Sequence, residues 1–384
     1  MQERFKVDLR GIIDLAANHM YSSPDVFVRE LVQNALDAVT ARRRLEPGHM
    51  GAIRVELTLA TEGVPGRVCV VDNGVGLTLN EVHEFLSTVG GSSKRSDAEE
   101  QAEKIAGDDG GFLGRFGIGL LSCFMISEEI VVVTRSARGT GRAVEWRGKS
   151  DGSYTVRELE SQSLSPGTSV YVTAKPDQEE YFESERLLTL LRHYCEMLPT
   201  PITFVCGDQE TPVQQHQPTW TMAADDEIGL HDTCQRTLGF RPIDAFPVMS
   251  AAGDTKGHLF IRPDRGSRWG MPHRLYAKGM LVSENAYGLL PEWATFVGCI
   301  INATGLRLNA SRESVYRDKV LEACQSDFAD AIRRRLVELL RVDPPRFHAI
   351  MAAHDVELRG LAIKDAAFFE FIIDLIEFET TLGS

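Results

Sequence analysis

The segment that most constrains the fold of this chain is residues 23–44, which the sequence predicts to be one long helix. Ser23 supplies a capping hydroxyl, and Pro24 suits a first helical turn. At about 100° per residue, Glu30, Asn34 and Asp37 fall on one side of the helix. The other side is apolar and consists of Val28, Leu31, Val32, Ala35 and Val39. This pattern predicts either a solvated polar face or a site that combines two carboxylates and an amide.

A carboxylate follows directly on an apolar strand. Residues 68–71 (Val-Cys-Val-Val) predict a buried strand, and Asp72-Asn73-Gly74-Val75-Gly76 comes next. Burial of a carboxylate at the end of a strand costs free energy unless a hydrogen-bond donor pairs with it. Asp72 is therefore expected to have a specific partner, such as the exocyclic amine of a purine. Gly74 and Gly76 would let the backbone approach a flat base. The alternative is an ordinary Asp-Asn-Gly turn.

A glycine-rich segment follows at residues 90–119, with a composition that is typical of a mobile lid. It ends in Gly114-Arg115-Phe116-Gly117-Ile118-Gly119, and the spacing predicts a helix over 118–126. Free backbone N–H groups at the start of a helix bind anions without basic side chains. The glycine order matches neither the Walker A nor the Rossmann pattern. A phosphate-binding loop is predicted, with a flexible hinge as the alternative.

Composition limits the partners of the protein. The formal charge is −14 and the pI is about 5.3, which argues against nucleic acid. The seven cysteines include no C-x-x-C pair, so a disulfide framework or a zinc site is not expected. Neither a signal peptide nor a run of about 20 apolar residues is evident. These features predict a cytoplasmic protein with no membrane partner.

The chain is long enough for two or three domains. A polar stretch at 207–225 predicts a linker, which would separate a domain at 1–210 from one at 225–384. Periodicity predicts α+β organisation in both. The predicted strands are 5–9, 53–59, 68–71, 130–135, 143–149, 155–160, 168–174, 258–262 and 274–282, and further predicted helices are 12–20, 184–197, 317–342 and 366–378.

Three segments together carry a family resemblance. In order, they are 27–39 (FVRELVQNALDAV), 71–78 (VDNGVGLT) and 113–124 (LGRFGIGLLSCF). They resemble the GHKL ATPase superfamily of gyrase, the ninety-kilodalton heat-shock chaperones, histidine kinases and mismatch-repair proteins. The set E-x-x-x-N-x-x-D, D-x-G-x-G and G-x-x-G-x-G is specific as a combination.

Other segments narrow the resemblance to the heat-shock chaperones. Residues 3–38 resemble the start of that family, and 289–297 and 306–313 resemble its middle-domain signature. The implied fold is a two-layer α/β sandwich of the GHKL (Bergerat) ATPase type followed by an α/β middle domain. The implied ligands are ATP or ADP and Mg²⁺.

The resemblance also implies roles for individual residues. Asn34 would hold Mg²⁺ against the phosphates, and Glu30 would orient or deprotonate the attacking water. Asp72 would accept from the adenine amine, with Thr168 supporting it through water. Asp37 would lie beside the base or the ribose.

The remaining implied roles concern phosphate binding. Gly114, Phe116, Gly117 and Gly119 would provide phosphate-binding amides and the lid hinge. Arg312, from the middle domain, would meet the charge that develops on the γ-phosphate, so hydrolysis would need both domains docked.

The sequence departs from the family pattern at three places. A glycine stands in 88–94 where the family usually has lysine, Tyr316 stands where a glutamine usually follows the arginine, and the chain stops at Ser384, where the family continues into a dimerisation domain. The expected function is an ATP-dependent chaperone that acts on client proteins and forms a homodimer. One alternative is a nucleotide-gated interaction module with little hydrolysis. Another is a DNA-processing protein similar to mismatch-repair proteins or topoisomerases, which the negative net charge disfavours.

Overall fold

A computed structural model describes residues 11, 23–87, 119–139, 141–160, 164–223, 225–264, 272–286, 288–308, 315–364 and 366–373. The chain divides into two compact units, Met1–His216 and Gln217–Ser384. This division falls inside the predicted linker 207–225, although part of that stretch forms a strand. The strand predicted at 5–9 and the helix predicted at 12–20 lie outside the described residues.

The described part of the first unit is built on an eight-stranded sheet with the order β5-β4-β3-β6-β2-β1-β7-β8. All neighbours pair antiparallel except β1 and β7, which are parallel. The strands are β1 Ile53–Thr58, β2 Arg67–Asp72, β3 Glu129–Arg135, β4 Ala143–Lys149, β5 Tyr154–Leu159, β6 Gly167–Thr173, β7 Ile202–Cys206 and β8 Gln209–Pro212.

Helices cover one face of this sheet. Helix α1 (Val26–Leu45) contacts β1, β2 and β6, and it also contacts helix α2 (Ser184–Cys195). Because strand side chains alternate between faces, the covered face carries buried apolar residues such as Val55, Val70 and Val132. The predicted two-layer α+β fold is confirmed.

The two helices beside the predicted site differ in detail from the sequence expectation. Helix α1 begins at Val26 with Asp25 at the N-cap, later than the predicted start at Pro24. The Ser23 hydroxyl accepts from the Asp25 backbone N–H at 3.3 Å, as a capping hydroxyl does, and it donates to Asp25 Oδ2 at 2.9 Å. The α-helix predicted at 118–126 is a 3₁₀ helix at Gly119–Met125.

The described part of the second unit holds a five-stranded sheet with the order β12-β11-β13-β10-β9. The strand predicted at 274–282 is instead a hairpin of two strands. The strands are β9 Asp244–Ser250, β10 Thr255–Ile261, β11 His273–Ala277, β12 Met280–Ser283 and β13 Val297–Ala303, and the helices are α3 Glu227–Leu238, α4 Lys319–Val342, α5 Pro344–Lys364 and α6 Ala366–Ile372.

One buried carboxylate connects the sheet of the second unit to two helices. Asp244, on β9, is 0% exposed and accepts two hydrogen bonds from Arg335 of α4, both at 2.8 Å. Arg346 of α5 donates to the same carboxylate at 3.0 Å. The hydrogen bonds to Asp244 raise the pKa of Arg335. The three side chains form a charge-assisted network that fixes both helices to β9.

We expect Asp244→Asn to destabilise the second unit by about 3 kcal/mol, because it leaves two guanidinium groups without their shared carboxylate. Urea unfolding followed by tryptophan fluorescence measures this. The matched control is Asp343→Asn, which removes a partner of Arg346 that is itself 38% exposed. Its expected effect is below about 1 kcal/mol. Equal effects of the two substitutions would contradict the assigned role of Asp244.

Candidate functional site

Helix α1 presents the predicted acid–amide–acid set at three different depths. Glu30 is only 2% exposed, Asp37 is half-buried and Asn34 is exposed. The set is therefore no solvated helix face, because its first carboxylate lies in the interior. Asn34, one turn later, can offer its amide oxygen to a ligand in solvent.

The Glu30 carboxylate is held by its neighbour. Arg29 donates to Glu30 Oε1 from Nη2 at 3.1 Å and from Nε at 3.3 Å, and Arg29 is also buried. The Arg29 guanidinium carbon lies 5.8 Å from the ring centre of Tyr194 on α2. A buried ion pair needs this kind of support, since both charges have lost water. The pair keeps the Glu30 carboxylate in one orientation.

Gly119 lies against the other oxygen of the same carboxylate. A Cβ atom at residue 119 would sit 2.4 Å from Glu30 Oε2, so a larger residue at this position would displace Glu30. Gly119 begins the 3₁₀ helix that packs on α1. The structure therefore brings together the first predicted site residue of α1 and the last glycine of the predicted phosphate loop.

Asp72 ends the central strand β2 and is 7% exposed. The backbone N–H of Gly74 donates to its Oδ1 at 2.7 Å. Burial raises the pKa of the Asp72 carboxyl from 3.8 to about 7, although the N–H groups of Gly74 and Thr168 lower it. Because burial destabilises its ionised form, this carboxylate would be stabilised by a ligand that donates a hydrogen bond to it.

Strand register places two threonines beside Asp72. Asp72 on β2 pairs with Thr168 on β6, and Thr168 pairs with Thr134 on β3. Paired residues share a face, so all three side chains lie on the face that α1 covers. We call Asp72, Thr168 and Thr134 the polar row. Thr134 was not among the predicted site residues, although a polar residue at an inward-facing position of an otherwise apolar strand was a signal.

The two glycines after Asp72 pack against protein. A Cβ atom at Gly74 would lie 2.4 Å from the backbone carbon of Ala38, and the N–H of Val75 donates to the Ala38 carbonyl at 2.9 Å. Gly76 has φ +61°, and a Cβ atom there would lie 1.9 Å from the carbonyl oxygen of Arg135. These contacts require glycine, which gives both residues a structural reason apart from the expected approach to a base.

The Gly74–Ala38 contact also joins the two predicted halves of the site. Ala38 lies four residues after Asn34 on α1, and Gly74 lies two residues after Asp72. The end of β2 is therefore fixed against the same part of α1 that carries Asn34 and Asp37. Of the other predicted site residues, Gly114, Phe116, Gly117 and Arg312 lie outside the described residues.

The donor set fits a nucleotide-bound magnesium ion better than a protein-enclosed metal. The described residues bring no three His, Cys, Asp or Glu side chains into a metal-binding cluster. Mg²⁺ commonly takes one or two protein ligands, with phosphate oxygens and waters completing its shell. The exposed amide of Asn34 can provide such a single oxygen.

None of the helices in the described ranges is both long and apolar enough to cross a lipid bilayer.

The comparison with protein families agrees with this arrangement. A family model described as "Histidine kinase-, DNA gyrase B-, and HSP90-like ATPase" matches residues 21–175. That range contains helix α1, the polar row and the glycine-rich segment. The fold and the matched range thus define a GHKL-type ATPase domain.

A second model, described as "Hsp90 protein", matches residues 270–384. Each of the two units therefore contains a segment that matches a model of Hsp90-like or Hsp90 proteins. It is similar to the mitochondrial TNF receptor-associated protein 1 homolog of Dictyostelium discoideum, with 25% identity over 99% of this chain and 54% of the relative. It is also similar to the chaperone protein HtpG of Chlorobium luteolum, with 25% identity over 98% of this chain and 62% of the relative. The chain spans between half and two thirds of the length of these relatives.

Proposed function

We propose that this protein is an ATP-dependent molecular chaperone that binds ATP with Mg²⁺ in its first unit and hydrolyses it. The observation that carries the proposal is the junction of α1 with the end of β2, which gives a buried acceptor, Asp72, and an exposed amide, Asn34, along one edge. A purine with an amino group suits Asp72, and a phosphate-bound Mg²⁺ suits Asn34. The ATPase and Hsp90 family matches support the same assignment.

Glu30 is the proposed base for hydrolysis. Its carboxylate is buried and fixed by Arg29, one helical turn before Asn34, so it can orient a water near phosphates that are held through Mg²⁺. Exclusion of bulk water would strengthen its interaction with that water. Asp37 would lie beside the base or ribose, and Gly114, Phe116, Gly117 and Gly119 would contribute backbone amides to the phosphates.

The chaperone activity would couple this site to the second unit. Arg312 would contribute a guanidinium to the γ-phosphate, so hydrolysis would depend on docking of the domain at 225–384 onto the domain at 1–210. Client polypeptides and a second copy of the chain are the proposed partners. The names of the HtpG relatives, which are chaperone proteins, support the assignment. A cytoplasmic location stays a prediction.

A single-turnover assay tests the proposed function. The protein is held in excess over labelled ATP with Mg²⁺, and bound nucleotide and released phosphate are measured in the same samples. We expect binding followed by slow phosphate release that requires Mg²⁺. Binding without release would favour the nucleotide-gated module without hydrolysis. Absence of binding would contradict a nucleotide site in the first unit.

A further inference from the structure

The Thr134 hydroxyl is the most buried member of the polar row. Its residue is 1% exposed, and its oxygen has three polar neighbours: the Leu77 N–H at 2.9 Å, the Gly167 carbonyl at 3.1 Å and the Thr168 hydroxyl at 3.0 Å. Thr168 is half-buried and can still be reached from the site. Thr134 lies on β3, so Thr168 on β6 stands between it and Asp72 on β2.

The chemistry of the three neighbours determines where each hydrogen lies. A threonine hydroxyl has one hydrogen to donate and two lone pairs. The Gly167 carbonyl can only accept, so the Thr134 hydrogen points to it. The Leu77 N–H can only donate, and it takes one Thr134 lone pair. The second lone pair is left for Thr168, which must therefore donate.

The reverse arrangement satisfies fewer groups. If Thr134 donated to Thr168, the buried contact with the Gly167 carbonyl would have no hydrogen. Buried polar groups in native proteins are nearly always paired, and an unpaired one is costly. The Thr168 hydrogen is thus committed to Thr134, and only the Thr168 lone pairs face the site.

We propose that Thr134 is a specificity-determining positioning residue, which fixes Thr168 as a hydrogen-bond acceptor and so selects a 6-aminopurine over a 6-oxopurine. The inference rests on the proposed nucleotide site. With Asp72 also accepting, the polar row presents two acceptors and no donor to the ring. A 6-amino group donates to such a surface, whereas a 6-oxo group places lone pairs against lone pairs.

A bridging water gives the same selection. A water that donates one hydrogen to Thr168 has its second hydrogen left for the ring, and it therefore needs a ring nitrogen that accepts. The N1 atom of adenine accepts, whereas the N1 atom of hypoxanthine carries a hydrogen. Thr134 thus controls both a direct and a water-mediated contact without touching the nucleotide.

Calorimetric titration of the full chain with Mg-ADP and Mg-IDP tests this role. The two ligands share ribose, phosphates and metal, so general loosening of the site weakens both equally. For the unaltered chain we expect ADP to bind at least about 100-fold more tightly than IDP. In Thr134→Val, Thr168 can rotate and donate, and the ADP-to-IDP ratio is expected to fall about tenfold or more.

Three further variants complete the test. Thr134→Ser keeps the hydroxyl and should keep the ratio. Thr168→Val removes the acceptor while sparing the bonds of Thr134 to Leu77 and Gly167, so it should lower the ratio even if Thr134→Val fails to fold. Thr200→Val alters another buried threonine of the first unit, outside the polar row, and should leave the ratio unchanged.

The outcomes separate the two levels of the inference. An unchanged ratio in both Thr134→Val and Thr168→Val would overturn the role of Thr134 while leaving nucleotide binding intact. Equal binding of ADP and IDP by the unaltered chain would do the same. Binding of neither ligand by the unaltered chain would overturn the proposed nucleotide site together with this inference.

Discussion

Asp72→Asn is expected to abolish nucleotide binding and at the same time to stabilise the fold above pH 7. Two properties of Asp72 produce the two effects. Its carboxylate is the proposed partner of the base, and its burial raises the pKa to about 7. The substitution keeps size and shape, so loss of packing does not confound either measurement.

The loss of binding follows from the hydrogen bond that Gly74 makes. The Gly74 N–H donates to Asp72 Oδ1 at 2.7 Å, and in the variant the asparagine oxygen would take that bond. The asparagine NH₂ group would then face the amino group of the purine, donor against donor. We expect Mg-ADP affinity to fall at least about 100-fold by calorimetry. Near-normal affinity would reject the contact between Asp72 and the base.

The gain in stability follows from proton linkage. The folded-state pKa of about 7 lies above the ordinary aspartate pKa of 3.8, so the folded state binds the proton more tightly. Stability is therefore lost as the pH rises from about 4 to 7, and the full loss persists above pH 7. The corresponding loss in the free energy of unfolding is about 4 kcal/mol, at roughly 1.4 kcal/mol per pKa unit.

Thermal and urea unfolding at pH 5 and pH 8 measure this second effect. At pH 8, Asp72→Asn should unfold at a higher temperature and at a higher urea concentration than the unaltered chain. The difference between the two proteins in these unfolding midpoints should shrink at pH 5. Asp208→Asn, at an exposed aspartate of the first unit, is the control and should change neither value. A variant that is less stable than the unaltered chain at pH 8 would contradict the assigned linkage.

Glu30→Gln is expected to slow ATP hydrolysis at least about 100-fold, which is the usual contribution of a general base. The amide can still accept from Arg29, but it cannot take a proton from water. Because Glu30 acts on water rather than on the ground-state nucleotide, Mg-ADP affinity should stay within about threefold. Phosphate release in the single-turnover assay and calorimetry on the same preparation measure the two quantities.

Glu145→Gln is the matched control for Glu30. Glu145 is also a largely buried glutamate held by arginines, in this case Arg147 and Arg157, which lower its pKa to about 2. It lies on the face of the sheet that α1 does not cover. Its substitution should therefore reduce stability without slowing hydrolysis. Equal turnover in Glu30→Gln and the unaltered chain would remove Glu30 from the proposed mechanism.

Local periodicity predicted the regular elements well where one face of an element is buried. Strand β4 has the predicted bounds, and β1 and β2 form the predicted hairpin. Helix α5 escaped prediction because it is kinked at His354 and lacks a clean apolar stripe. The hairpin of β11 and β12 escaped because both strands are buried and no alternation marks the turn between them.

The depth of Glu30 also could not be predicted from helix geometry alone. The wheel placed it opposite the apolar face, where a solvated carboxylate was one expectation. In the fold, α2 and the 3₁₀ helix close over that side of α1, and Arg29 compensates the buried charge. Burial of a polar helix face depends on which elements pack there, and that information is not local to the helix.

By itself, the sequence determined the chemical groups of the site: two carboxylates and an amide at helical spacing, an aspartate at a strand end, and glycines that permit close packing. Only the tertiary structure decided that Asp72, Thr168 and Thr134 stand side by side. Thr134 and Thr168 are 34 residues apart, and the register of β3 and β6 brings them together. A one-residue slip would turn Thr168 to the opposite face, and register depends on the packing of the whole sheet.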